Sequence, residues 1–170
     1  MSHHILPDIV ATGIRLLIVG EQAGPESARV GHYYAGPRNR FWSALAQVGL
    51  TPRELSCTED VKLLDFGIGL TDLKKRTVHG DASPPTGEDR ARLLQLVDEW
   101  KPQIVAFHGA EIARQFFNSY KISCGELRRY DIQEPLKGCE MFVVTSASAA
   151  NGHYKKQLWS WHDLAKKLRP

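Results

Sequence analysis

The sequence predicts an α/β fold built on a parallel sheet with helices on both faces. Three observations lead there. Strand-like and helix-like segments alternate along the chain; the strand-like segments are apolar throughout rather than at every second residue; and two of them run straight into a glycine, Gly20 and Gly109. Continuously apolar strands belong to sheets covered on both sides. In such sheets ligands sit at the carboxyl ends of the strands, so function is sought in the loops that follow them.

Taken in order, residues 14–20 (IRLLIVG) read as a buried strand and residues 20–27 (GEQAGPES) as a loop with two glycines and a proline. Residues 39–48 place Phe41, Leu45 and Val48 at helical spacing, and Gly49 stops that helix. Residues 61–66 read as a short strand leading into a glycine-bearing turn over 67–73. After a loop at 82–87, Thr86 or Asp89 caps a helix over 88–101 with Leu93, Leu94 and Val97 as its apolar face, and Pro102 breaks it. Residues 103–108 (QIVAFH) are a second strand, 110–119 a helix, 121–137 an irregular charged stretch and 140–144 a third buried strand. That strand enters a loop of small residues, 145–152 (TSASAANG). A closing helix over 154–168 turns Leu158, Trp161, Leu164, Ala165 and Leu168 inward.

A chain of 170 residues, 42% hydrophobic and 24% charged, is enough for one domain with a real core; residues 1–13 read as an N-terminal extension of it. No apolar run approaches the roughly 20 residues of a membrane span, and the N-terminus lacks a secretory pattern, so no membrane partner is expected. Three scattered cysteines, Cys57, Cys124 and Cys139, point to a reducing, cytoplasmic setting. They supply neither the count nor the spacing for a zinc ribbon or a four-cysteine cluster, and no metal is expected. The net charge of +3 is compatible with nucleic acid without demanding it.

The loops carry the candidate chemistry. Glu21 and Gln22 stand just past the first strand, where glycines let backbone amides approach a ligand; the phosphate-binding orders G-x-G-x-x-G and G-x-x-x-x-G-K-[ST] are both absent. Residues 30–42 interleave His32, Arg38 and Arg40 with aromatics, a composition suited to base stacking and phosphate contact. Phe41 and Trp42 open a helix and read as core, whereas Tyr34 lies outside it and can stack on a ligand. The run of small residues after Thr145 reads as exposed backbone able to press into a groove, and His153 beyond it as a candidate general acid.

The strings GEQAGPESARVGHYYAGPRNRFWSALAQVGLT, GIGLTDLKKRT and FVVTSASAANGHY resemble the three signature regions of the mismatch-specific thymine/uracil branch of the uracil-DNA glycosylase superfamily, in the same order. The resemblance implies a three-layer α/β/α sandwich with a short, mostly parallel central sheet. It implies a monomeric, cofactor-free DNA repair enzyme that flips uracil out of DNA and hydrolyses its N-glycosidic bond, leaving an abasic site. Such an enzyme is monofunctional and needs no metal. Gln22 falls where that branch carries a water-positioning asparagine, and Glu21 where another branch carries an acidic residue. Tyr34 takes the place of a stacking phenylalanine, with Gly20, Ala23, Gly24, Ser27 and Thr145 around the base. Ser146, Ala147, Ser148, Ala149, Ala150 and Asn151 form the loop that fills the gap left by the base. Arg38, Arg40, Lys74, Lys75, Lys155 and Lys156 are the phosphate contacts.

The sequence departs from the pattern in lacking the asparagine and proline of the first motif and the histidine of the second, and in building its wedge from alanine. By chemistry Glu21 is the stronger water activator, because a carboxylate also stabilises a cationic sugar; by position it is Gln22. Flipping is cheapest at mismatched or unpaired bases, so G·U pairs and single strands are the favoured substrates. The alternatives are a protein that binds DNA or lesions without cutting, one that acts on another deaminated base such as hypoxanthine, and a small-molecule hydrolase on a similar scaffold.

Overall fold

The computed structural model describes residues 4–127 and 136–168. Five strands form one sheet in the order β2-β1-β3-β5-β4. They are β1 (Leu16–Gly20), β2 (Ile68–Asp72), β3 (Ile104–His108), β4 (Gly125–Leu127) and β5 (Glu140–Val144). β1 pairs in parallel with β2 and β3, and β3 with β5; only the short edge strand β4 runs antiparallel.

Alternate residues of each strand feed two separate cores. Leu16 and Ile18 face one that contains Phe41, Leu45, Leu63, Trp161 and Leu164. Leu17 and Val19 face the other, with Leu93, Val97, Ile112 and Phe116. The first core is covered by α2 (Phe41–Gln47), a 3-10 helix (Cys57–Phe66) and α6 (Trp159–Leu168), and the second by α3 (Gly87–Trp100) and α4 (Ala110–Phe117). This is the three-layer sandwich, and its burial of large apolar side chains at about 1.5–3 kcal/mol each holds the layers together.

Local chemistry sets the boundaries. Pro25 opens the short helix α1 (Pro25–Val30), so residues 25–27 are helical rather than loop. α3 starts with a reciprocal cap, the Thr86 side chain accepting from Asp89 N–H and Asp89 accepting from Thr86 N–H. It ends at Lys101 in the left-handed region, one residue before Pro102. Its buried face is Leu93, Leu96 and Val97, whereas Leu94 is half exposed.

Other expectations give way. Residues 61–66 belong to the 3-10 helix, started by a cap between Ser56 and Glu59; the strand is the following Ile68–Asp72, where a turn was expected. Its glycine misleads: a Cβ on Gly69 would come within 2.9 Å of the Ile9 carbonyl, because residues 4–9 cross over β2. Those residues are no appendage. Leu6 and Ile9 are buried, and Ile9 exchanges two backbone hydrogen bonds with Leu70. The closing helix is two, α5 (Tyr154–Gln157) and α6, broken at Leu158. Of the stretch 121–137, residues 125–127 form β4, and 128–135 lie outside the described residues.

Candidate active site

Parallel pairing brings the carboxyl ends of the strands to one level, with Gly20 beside Asp72 and His108 beside Val144. A pocket of about 330 Å³ opens there. Its wall includes Glu21 and Gln22 after β1, Asp72 ending β2, His108 ending β3, and Ser146 and Ser148 after β5. Gly20 is glycine for a steric reason: a Cβ there would collide with the Asp72 carboxylate and come within 3.1 Å of the Tyr34 hydroxyl.

Asp72 is buried, and no described residue donates a hydrogen bond to its carboxylate. Burial pushes its pKa up to about 6, with Lys75 and Arg92 pulling down and Asp8 and Glu21 pushing up. Beneath it, Asp8 takes Lys75 Nζ at 2.9 Å, Arg92 Nη1 at 3.1 Å and the Thr71 hydroxyl at 2.6 Å. Lys75 also donates to the Tyr33 hydroxyl at 2.8 Å.

The two candidates for handling water differ in freedom. The Gln22 amide is clamped: its carbonyl accepts from Thr77 Oγ1 at 2.5 Å and its nitrogen donates to the Asp81 carbonyl at 3.1 Å. Glu21 lines the mouth with its side chain 31% exposed and its Oε1 3.2 Å from Lys74 Nζ. Tyr34 adopts φ +52°, stacks on Phe41 at 3.8 Å and meets the edge of His108 at 5.0 Å. Its hydroxyl is buried without a partner among the described residues, and burial with nearby Asp72 pushes its pKa well above the usual phenol range. Ser27 is buried at the wall and accepts the Ala35 N–H at 3.0 Å. Ala23 and Gly24 lie alongside, Gly24 as the residue that starts α1.

The loop after β5 is braced rather than free. Thr145 is buried and does not line the pocket; its hydroxyl donates to Gln157 Oε1 and accepts from Asn151 Nδ2, and its backbone bonds to Ser160 and Trp161. Ala147, expected to be exposed, is fully buried, with its N–H on His108 Nε2 at 2.8 Å. Asn151 is a second brace, donating to the Ser146 carbonyl at 2.7 Å. Of residues 145–151, Ala149 and Ala150 are the exposed ones.

The profile of the uracil DNA glycosylase superfamily matches residues 7–169. The chain belongs to the uracil DNA glycosylase superfamily. Its fold is similar to the solution NMR structure of a Methanosarcina acetivorans protein provisionally assigned as a uracil DNA glycosylase. The two share 22% identity at a TM-score of 0.66, over 96% of each chain. Superfamily membership suggests DNA glycosylase activity and DNA as the partner. Among the described residues, no helix is long and apolar enough to cross a membrane, and no cluster of three His, Cys, Asp or Glu side chains is placed to hold a metal ion.

Within this superfamily member the predicted phosphate contacts separate into two groups. Arg38, Lys155 and Lys156 are exposed. Arg40 is committed inward, donating to the carbonyls of Ser148 at 2.6 Å and Asn151 at 3.2 Å with its guanidinium 4.1 Å over the Tyr154 ring. Lys74 and Lys75 are buried in ion pairs, with Glu21 and Asp8 respectively. His153 is exposed and lies off the pocket wall, so the geometry gives it no acid role there. Asp72, His108 and the exposed rim residue His79 line the pocket and were missed from sequence. The available signal for His108 was a polar residue ending an otherwise apolar strand; Asp72 lies in a segment whose glycines read as a turn, and no comparable signal marked it.

Proposed function

We propose that the protein hydrolyses the N-glycosidic bond of uracil everted from DNA, leaving an abasic site. What supports the reading is one arrangement: a base-sized pocket at the strand ends with one carboxylate at its mouth, Glu21, and another buried in its wall, Asp72. Loss of uracil leaves a sugar with oxocarbenium character, which needs a water aimed at C1′ and a stabilised leaving anion. Glu21 takes the water. It is a carboxylate at the rim, and the amide of Gln22 is already committed at both ends. Asp72 faces the base and accepts the ring N–H. The Ser27 hydroxyl, whose oxygen holds the Ala35 N–H, keeps its own proton to give to the base. Tyr34, backed by Phe41, forms an aromatic side of the slot.

Uracil-containing oligonucleotides, single-stranded and paired with guanine, are incubated with the protein from pH 6 to 9 and cleaved with alkali. Strand breaks above background are expected, and Glu21→Gln lowers kcat by about 10²–10⁴ with a smaller change in KM. Absence of breaks at every pH overturns the reading. Tight binding of uracil-DNA without base release makes the protein a lesion binder instead.

A further inference from the structure

His108 ends β3 only 6% exposed, yet it borders the pocket. Its Nε2 accepts the Ala147 backbone N–H at 2.8 Å. A ring nitrogen that accepts a hydrogen bond carries no proton, so in the neutral ring the proton is on Nδ1. Burial pushes the His108 pKa down to about 3, and the ring stays neutral throughout the physiological range. No described residue accepts the Nδ1 proton, and Nδ1 is not among the unpartnered polar atoms sealed from solvent. Edge contacts to Tyr34 at 5.0 Å, Phe41 at 5.6 Å and Trp161 at 5.8 Å hold the ring in place. The result is a fixed, uncharged donor with no acceptor among the described residues.

We propose that His108 is a specificity-determining residue: its Nδ1–H is given to a keto oxygen of the base in the pocket, while its Nε2 holds the loop that follows β5. The proposal rests on the glycosylase reading above and names its substrate class, bases that present a keto oxygen. An exocyclic amino group brought to the same point sets donor against donor and leaves both desolvated and unpaired, so cytosine and adenine are rejected. The same ring ties base recognition to the loop, because Ala147 lies between Ser146 and Ser148 of the pocket wall.

The two roles separate by substitution. His108→Gln offers an acceptor near Nε2 and removes the Nδ1 donor; His108→Asn keeps a donor near Nδ1 and loses the acceptor. Excision is measured on single-stranded oligonucleotides carrying uracil, 2-thiouracil, 4-thiouracil or cytosine. Sulfur accepts hydrogen bonds weakly, so one of the two thio substrates falls by roughly tenfold against uracil with the wild type, the factor of one lost hydrogen bond. His108→Gln lowers kcat/KM for uracil by a similar factor and abolishes the preference for oxygen over sulfur, whereas His108→Asn, which keeps the donor, retains that preference. Independently of activity, 15N NMR of the wild type finds Nδ1 protonated and Nε2 unprotonated. The opposite tautomer, equal rates on uracil and both thio bases, or an unchanged thio preference in folded His108→Gln overturns the proposal. If His108→Gln does not fold, the wild-type thio series and the tautomer decide. A wild type that releases no uracil at all defeats the glycosylase reading instead, while the tautomer measurement still stands on its own.

Discussion

Asp72 is a carboxylate held where water would not leave one. Burial raises its folded pKa to about 6 from the ordinary 3.8, so the folded state prefers the proton more than the unfolded chain does. Below the unfolded value both states are protonated and the group costs nothing; as pH rises through about 6, folding must carry a buried anion. Asp72→Asn removes that cost. It is expected to stabilise the protein at pH 8 by up to about 3 kcal/mol and to do nothing near pH 3, as read by urea unfolding at the two values. Equal effects at both pH values would mean that the carboxylate is not strained. Because the proposed reading needs the ionised form to accept the base N–H, excision should climb as pH rises through about 6 and lose this limb in Asp72→Asn. Such residue-level environments were the least legible part of the sequence. Gln22 and Thr145 were assigned to the site by position, yet Gln22 is occupied by Thr77 and Asp81, and Thr145 by Gln157, Ser160 and Trp161. None of those partners is visible from the motif that contains the residue.

At the scale of elements, β1, β3 and β5 were legible because each is a run of apolar residues buried on both faces. β2 was not, since Gly67 and Gly69 imitate a turn; one ends the 3-10 helix in the left-handed region, and the other makes room for Ile9. The loop 145–151 was legible as a loop and misread as free. Its small residues let it pack rather than stay exposed: Ala147 enters the core, and Arg40 reaches across to hold it from beneath. Arg40 is therefore a structural arginine: its Nη2 donates to both carbonyls while the planar guanidinium lies over the Tyr154 ring, and it is this flat stacking that lysine does not reproduce. Arg40→Lys is expected to cost about 1–2 kcal/mol of stability in thermal unfolding. If the Ala149–Ala150 tip fills the stack vacated by an everted base, as the resemblance implies, the substitution should slow excision from duplex more than from single strands, because only a duplex has a stack to fill. Equal slowing on both substrates would place Arg40 on the DNA rather than under the loop.

For the whole molecule, charge matters less by amount than by where it lies. The chain carries a net charge of only +3, and of the six cations that the sequence offered for phosphate, Arg40, Lys74 and Lys75 are turned inward onto carbonyls and carboxylates. Lys75 and Arg92 in particular are balanced by Asp8, which residues 4–9 bring across β2. Residues 4–9 thus neutralise buried charge next to Asp72 rather than extending from the domain. That leaves Arg38, Lys155 and Lys156 exposed for a nucleic-acid backbone. Each phosphate neutralised on a single strand contributes about −0.7 to the slope of log K against log salt, so three contacts give roughly −2 and six give roughly −4. Fluorescence anisotropy of a labelled single-stranded oligonucleotide across a salt series should yield the smaller slope. It should flatten further by about 0.7 for each of Arg38→Ala, Lys155→Ala and Lys156→Ala. A slope near −4 that is insensitive to all three substitutions would mean that DNA is held by other cations of the protein.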